Sequence, residues 1–188
     1  MRGYAVVLVI LAAAVGTGCG GREAVAASRP APAGTDTTPA SETYPDTTGL
    51  ALWAFLDSSD FRTWPLWPGK GRFFPGEQPH GALLTVFVEP GVRDALLDGA
   101  ERMPPRAVIV KENYGPDSTL RAHTVMYKVP GYDPQHHDWF WGQYAPDGKV
   151  LAAGRVQLCW QCHEVAAPYD DLWILRDEAY LRRLNSGR

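Results

Sequence analysis

The sequence predicts an α+β fold, mainly an antiparallel β-sheet with a few peripheral helices. Three observations lead there. Five short segments rich in β-branched and aromatic residues follow one another between residues 82 and 156. Clusters of turn-forming residues separate them, as in the Pro146-Asp147-Gly148 run. Helical spacing is confined to the flanks and to one insertion after the first strand. Consecutive strands with short turns and helices at the edges make an antiparallel sheet the economical arrangement.

Each element has a local reason. Thr48 is a candidate N-cap, followed at helical spacing by Leu50, Trp53, Ala54 and Asp57. Residues 64–81 are rich in Pro and Gly and read as an irregular loop. Residues 82–89 (ALLTVFVE) form the first predicted strand. A short helix spans 91–98, with Gly99 as its stop. Strands follow at 107–114 (AVIVKENY), 121–129, 138–144 (DWFWGQY) and 150–156. A charged surface helix is expected over 176–185.

The N-terminus carries export signals. Arg2 precedes an apolar run over 5–15 (AVVLVILAAAV), too short to span a bilayer comfortably. It ends in Gly16-Thr17-Gly18-Cys19-Gly20, which resembles a bacterial lipobox with Gly16 where Leu is usual. Residues 1–19 therefore read as a signal peptide of lipoprotein type, with Cys19 as the lipidation site; ordinary secretory cleavage nearby is the alternative. Residues 20–47 are mainly Ala, Pro, Thr, Ser and Gly. They bury too little apolar surface to offset ordering entropy and read as a flexible tether. Residues 48–188 remain as one domain of about 140 residues, enough for a core. The expected location is extracytoplasmic or periplasmic, with membrane contact only through the lipid. A net charge of −3 and no basic stripe exclude nucleic acid as an expected partner.

The chemistry-bearing motif is Cys159-Trp160-Gln161-Cys162-His163, the C-x-x-C-H attachment signature of a c-type haem. Two thiols three positions apart reach the vinyl groups of one porphyrin, and the adjacent imidazole reaches its iron. Cys159 and Cys162 are the expected thioether anchors, and His163 the proximal ligand of one covalently attached haem c. Three other readings exist. Half a zinc site needs a second ligand pair, and the only other cysteine is Cys19. A thioredoxin-like pair needs a βαβ context that the sequence lacks. A plain disulfide suits an exported chain. Export favours haem, because c-type haem is attached outside the cytoplasm.

The pieces PHG…TVFVEP, P-x-A-V-I-V-K-E, T-V-M-Y-K-V-P-G-Y-D-P and D-W-F-W-x-x-Y-x-P-D-G, followed by a late C-x-x-C-H, resemble the cytochrome P-460 and cytochrome c′-beta family. The likeness covers residues 50–175. It implies a haem-binding, mostly antiparallel domain, usually a homodimer, with an open or water-occupied distal position. Family members bind nitric oxide, and some oxidise hydroxylamine, so the expected partners are a small nitrogen-oxide or hydroxylamine ligand and a periplasmic redox partner. In the hydroxylamine-oxidising branch a lysine is bonded to the porphyrin edge, and Lys111 matches that position.

Read from the residues alone, Lys111 is an exposed strand-end lysine whose stem lies over apolar surface. In an apolar haem pocket it would have a lowered pKa and a more nucleophilic amine. The branch's arginine and carboxylate have no counterpart at Leu84, Thr85 or Thr124. Without a proton acceptor, hydroxylamine oxidation is weakened and capture of a small neutral ligand such as nitric oxide is favoured. A simple electron carrier with a six-coordinate haem is the further alternative, with Met126 or Met103 as sixth ligand; core packing is the ordinary role of such residues. His80, in its Pro-His-Gly loop, reads as a hydrogen-bonding residue rather than a ligand. His136 and His137 read as solvated turn residues, Asp170 and Asp171 as an exposed loop. Trp139, Phe140, Trp141 and Tyr144 read as core.

Overall fold

The computed structural model describes residues 44–186. The expected signal peptide, Cys19 and residues 20–43 of the expected tether lie outside the described residues. Tyr44–Thr47 are already part of the domain: the Tyr44 ring stacks on Phe55, and the Pro45 carbonyl accepts the Tyr127 hydroxyl at 3.3 Å. No helix among the described residues is long and apolar enough to cross a membrane.

The core of the architecture is one six-stranded antiparallel sheet: β1 (Phe74–Pro75), β2 (Leu83–Val88), β3 (Val108–Tyr114), β4 (Leu120–Lys128), β5 (Trp139–Tyr144) and β6 (Val150–Gly154). Spatial order equals chain order, so it is a meander. The helices are α1 (Gly49–Ser58), α2 (Pro90–Asp98), α3 (Gln157–His163) and α4 (Glu178–Ser186). This agrees with the expected α+β class. The loop over 64–81 contributes more than expected: β1 pairs with β2, and Leu66 bridges to Phe87.

Alternation along the strands sorts side chains to two faces. Phe87, Val108, Val110, Val125, Tyr127, Phe140 and Tyr144 form one core with Leu52, Leu56 and Phe61. Val86, Val88, Ile109, Met126, Trp139 and Trp141 form the other, with Val92 and Leu96 of α2 and with C-terminal residues including Leu172 and Leu175. The sheet is therefore a central layer covered on both sides.

Thr48 caps α1 as expected, its hydroxyl accepting the Ala51 N–H at 3.1 Å. The buried stripe of α1 is Leu52 and Leu56, however, and Leu50 is exposed. Trp53 instead lies against Gly148 in the β5–β6 turn. A Cβ at Gly148 would stand 2.1 Å from the indole nitrogen, and its φ of +88° already favours glycine. The last expected strand ends earlier, at Gly154, because Val156 begins α3: its carbonyl accepts the Cys159 N–H at 2.9 Å. The C-terminal helix is not a free surface element. Tyr180 is buried, accepts the Trp67 indole N–H at 2.8 Å and donates to the Pro68 carbonyl at 2.9 Å.

Two buried charged groups pin the layers. On the α1 side, Glu112 accepts from Arg62 Nε at 2.7 Å and from the Tyr114 hydroxyl at 2.5 Å, while Arg62 Nη2 donates to His123 Nε2 at 3.0 Å. Burial pushes the Glu112 carboxyl up, but its contacts with His123, Tyr114 and Arg62 outweigh this and hold it below the usual carboxylate value. On the other side, Asp170 accepts from Lys128 Nζ at 2.5 Å and from the Met103 N–H at 2.8 Å. Asp170 and Asp171 are thus buried, contrary to the expected exposed loop. The buried Trp139 explains it: its indole N–H donates to the Asp170 carbonyl at 2.9 Å, and the Lys128 amine lies over its ring at 4.6 Å.

Replacing Asp170 by Ala strips both Lys128 and the Met103 N–H of their partner. Urea unfolding should show a loss of about 3–5 kcal/mol, the usual cost of leaving a buried charge unpaired; a loss below about 1 kcal/mol would count against this pin.

Candidate functional site

Cys159, Cys162 and His163 stand at i, i+3 and i+4 of α3, and therefore share one face of the helix. That face borders a cavity of about 630 Å³ whose wall includes all three residues, a volume ordinary for a cofactor or small-molecule site. Both thiols are free. Cys159 is half-buried and Cys162 exposed. Burial pushes the Cys159 thiol up; Cys162 adds to this, and the Lys111 charge opposes it.

His163 is buried, and its Nδ1 lies 2.7 Å from the Asp171 carbonyl oxygen. A carbonyl only accepts, so Nδ1 carries the proton and Nε2 keeps its lone pair. Burial first, then the nearby Lys111 charge, pushes His163 down to about 4 against the opposing hydrogen bond. At neutral pH the ring is an uncharged imidazole with one nitrogen committed and one available. Its plane meets Trp141 edge-on, with ring centres 4.8 Å apart.

The carbonyl that orients His163 is itself held. Asp170 and Asp171 adopt consecutive left-handed conformations, φ 56° and 63°. The Asp170 carboxylate is fixed as described above, and Asp171 Oδ2 accepts from His137 Nδ1 at 3.0 Å. His136 pairs with Asp133 at 3.0 Å and stacks on Trp160, ring centres 4.0 Å apart. The two histidines expected to be solvated are therefore structural braces of the helix carrying the motif.

The opposite wall is the sheet. Register aligns Ile109, Met126 and Trp141 as an apolar row, and Lys111, Thr124 and Gln143 as a polar row beside it. Lys111 is mid-strand and half-buried, which corrects its reading as an exposed strand end. Burial pushes its amine down to about 8, with the two cysteines opposing. Thr124 Oγ1 accepts from Asn113 Nδ2 at 3.1 Å. His80 lines the same cavity; burial, then Lys111 and His163, push it down to about 3, with the Asn113 carboxamide beside it opposing. Among the lining residues none is a carboxylate, and the cationic side chains are Lys111 and Arg121. His123 lies on the other side of the sheet, against Arg62 and Trp53. Of the two methionines, Met126 lines the cavity and Met103 lies in the core away from it.

Two buried side-chain polar atoms lack a hydrogen-bond partner among the described residues, Asn113 Oδ1 and Trp141 Nε1. Both belong to cavity-lining residues. Leaving such a group unpaired costs about 1–3 kcal/mol, so the pair suits a cavity built to receive a polar-edged occupant. Neither residue was singled out from sequence for such a role. The i+2 alternation from Lys111 reaches Asn113, but nothing in the sequence reveals an unmet hydrogen bond. No cluster of three or more His, Cys, Asp or Glu side chains among the described residues is arranged to hold a bare metal ion, so a second ligand pair for zinc is not found there. Compared with known protein-family profiles and with curated proteins, the chain matches none.

The lowered Lys111 value carries a linkage with a definite sign. A lysine whose folded value lies below its unfolded value destabilises the fold while protonated. The penalty is fully present below about 8 and fades as pH rises from 8 toward 10.5. Before any cofactor is attached, Lys111→Met should stabilise the chain at pH 7 by no more than about 3 kcal/mol, and the gain should vanish near the upper end of that window. Urea unfolding across that range measures both; a gain that does not change with pH would refute the buried-amine assignment.

Proposed function

We propose that the chain is an exported mono-haem c-type cytochrome of the cytochrome P-460 and c′-beta kind. Cys159 and Cys162 are the thioether anchors and His163 the proximal ligand. One observation carries the reading: on one helix face, two free thiols and an imidazole with Nδ1 committed to the Asp171 carbonyl front a single cavity. A hydrogen bond from Nδ1 to a backbone carbonyl is what fixes the tautomer of a metal-binding histidine. The donor set fits the group. The apolar row would suit a macrocycle face, while Trp141 Nε1, Lys111 and Arg121 would supply donors for its acidic edge. When bound, the haem supplies an iron centre able to take a small nitrogen ligand and to exchange an electron.

The chain's own residues then define the chemistry on offer. Burial keeps the proximal imidazole neutral, and the Asp171 carbonyl orients it. The apolar row excludes water. Nitric oxide capture is the activity that this cavity supports best, because no carboxylate lines it to collect the protons that hydroxylamine oxidation releases. Hydroxylamine oxidation is the second reading, carried by Lys111: an enclosed amine with a value near 8 is part neutral and nucleophilic, as a bond to the porphyrin edge requires. The protein works outside the cytoplasm, anchored through lipid on Cys19, as a homodimer served by a periplasmic redox partner.

Expression of the full chain with a cytochrome c maturation system tests this. Wild type should retain one haem through denaturing electrophoresis and acid extraction. Cys159→Ser with Cys162→Ser should retain none, and His163→Ala should keep attached haem but lose the wild-type iron spectrum. A wild-type chain that retains no haem would end the proposal. Lys111→Ala should alter the ferrous optical spectrum if the lysine bond exists; an unchanged spectrum leaves nitric oxide capture as the surviving activity.

A further inference from the structure

We propose that Lys111, Thr124 and Gln143 form a subsite for a small inorganic anion, and that nitrite is the nitrogen species it fits. The inference rests on the haem reading of the Cys159–His163 motif, and goes beyond it by adding a charged ligand to the neutral one already proposed.

Strand register builds the subsite. Lys111 stands opposite Thr124, and Thr124 opposite Gln143, across β3, β4 and β5. All three line the cavity. Directly paired positions on one sheet face set their Cβ atoms about 5 Å apart, so one small ligand can meet two of these side chains at once. Each of the three offers hydrogens. The Lys111 ammonium only donates. Thr124 Oγ1 already accepts from Asn113 Nδ2 at 3.1 Å, which leaves its own hydrogen to give. The Gln143 carboxamide adds N–H groups.

No fixed negative charge answers this row. None of the lining residues is a carboxylate. Lys111 forms no hydrogen bond or ion pair among the described residues, and the groups whose charge favours its protonated form are Cys159 and Cys162. As thioethers those two sulfurs no longer ionise, so attachment of the cofactor removes that support. An enclosed cation without a counter-ion is costly, and an anion that supplies one is favoured. With a value of about 8, the amine is mostly protonated at neutral pH. His80 and His163 are pushed down and stay neutral there. Arg121, the other cation of the wall, is largely exposed and already paired with Asp117 at 3.0 Å.

Charge and size choose the ligand. The cavity is shared with a macrocycle, so the space left beside the row admits only a small species. Nitrite has one negative charge, two oxygen acceptors and a nitrogen lone pair. It can take hydrogens from the row with one atom and present another to an open iron position. Nitric oxide carries no charge and gains little from the amine. The cofactor's own carboxylates share the chemistry of an anionic oxygen, and the test separates the two sources.

The test titrates the ferric haem-loaded chain with nitrite, and with imidazole as a neutral comparison, by optical spectroscopy. Wild type, Lys111→Met and Thr124→Val are compared. Lys111→Met should weaken nitrite relative to imidazole by about ten- to a hundredfold, the usual worth of a hydrogen bond to a charged group. Thr124→Val should weaken it by about three- to tenfold. Nitrite affinity that is indifferent to Lys111 overturns the subsite, because the amine is then held by a cofactor carboxylate or bonded to the porphyrin. Equal losses for nitrite and imidazole overturn it too, since the row would then shape the cavity without reading charge. A wild type that retains its haem but binds no nitrite ends the subsite and leaves the haem reading standing. No retained haem removes both.

Discussion

The hydrogen bond from His163 to the Asp171 carbonyl is the constraint on which the site depends. It chooses the tautomer, aims the free nitrogen and sets how α3 lies on the rest of the molecule. A backbone carbonyl is a poor anchor unless its own segment is fixed, and here it is fixed from several directions. Lys128 and the Met103 N–H hold the Asp170 carboxylate, Trp139 holds the Asp170 carbonyl, and His137 holds the Asp171 carboxylate. Buried ion pairs are weak contributors to net stability, but removing one partner is costly. The Lys128–Asp170 pair therefore specifies position more than it adds stability. Burial raises the Asp171 carboxyl, and the hydrogen bond and charge of His137 oppose that shift.

The sheet was largely legible in the sequence, because alternation and turn chemistry are local signals. The 82–89, 107–114, 121–129 and 138–144 segments each contain an observed strand to within a residue or two at either end. The errors share a cause. Leu50 looked like a core residue by spacing, yet α1 docks through Leu52 and Leu56, because the side a helix buries is settled by the surface it meets. Asp170, Asp171, His136 and His137 looked solvated because charge is usually exposed. Their burial is set by partners distant in sequence, such as Lys128, 42 residues before Asp170. Lys111 fails the same local test, since its enclosure comes from α3 and the His80 loop and not from its own strand.

The candidate site was legible to the extent that it is written in one contiguous motif. Five residues carry the proposed haem attachment, because such attachment would require them to be adjacent. The remainder is spread over β3, β4, β5 and the 78–82 loop, and only the strand register brings Lys111, Thr124 and Gln143 into a row. The unmet atoms of Asn113 and Trp141 are a property of the assembled cavity alone. The absence of a carboxylate in the wall was suggested by Thr124 in sequence and extends to every lining residue in the structure.

The meander has a consequence for the order of events. Every strand pairs with its neighbours in the chain, so the whole floor of the cavity forms through contacts of short sequence separation, which favours early and rapid assembly. Helix α3 and the Asp170–Asp171 corner come later in the chain and close the cavity from above. A chain crossing a membrane N-terminus first would present a finished floor before its thiols and their imidazole arrived. The closing corner then works as a latch set last, and a large prosthetic group could enter an open cradle without the sheet ever having to reopen.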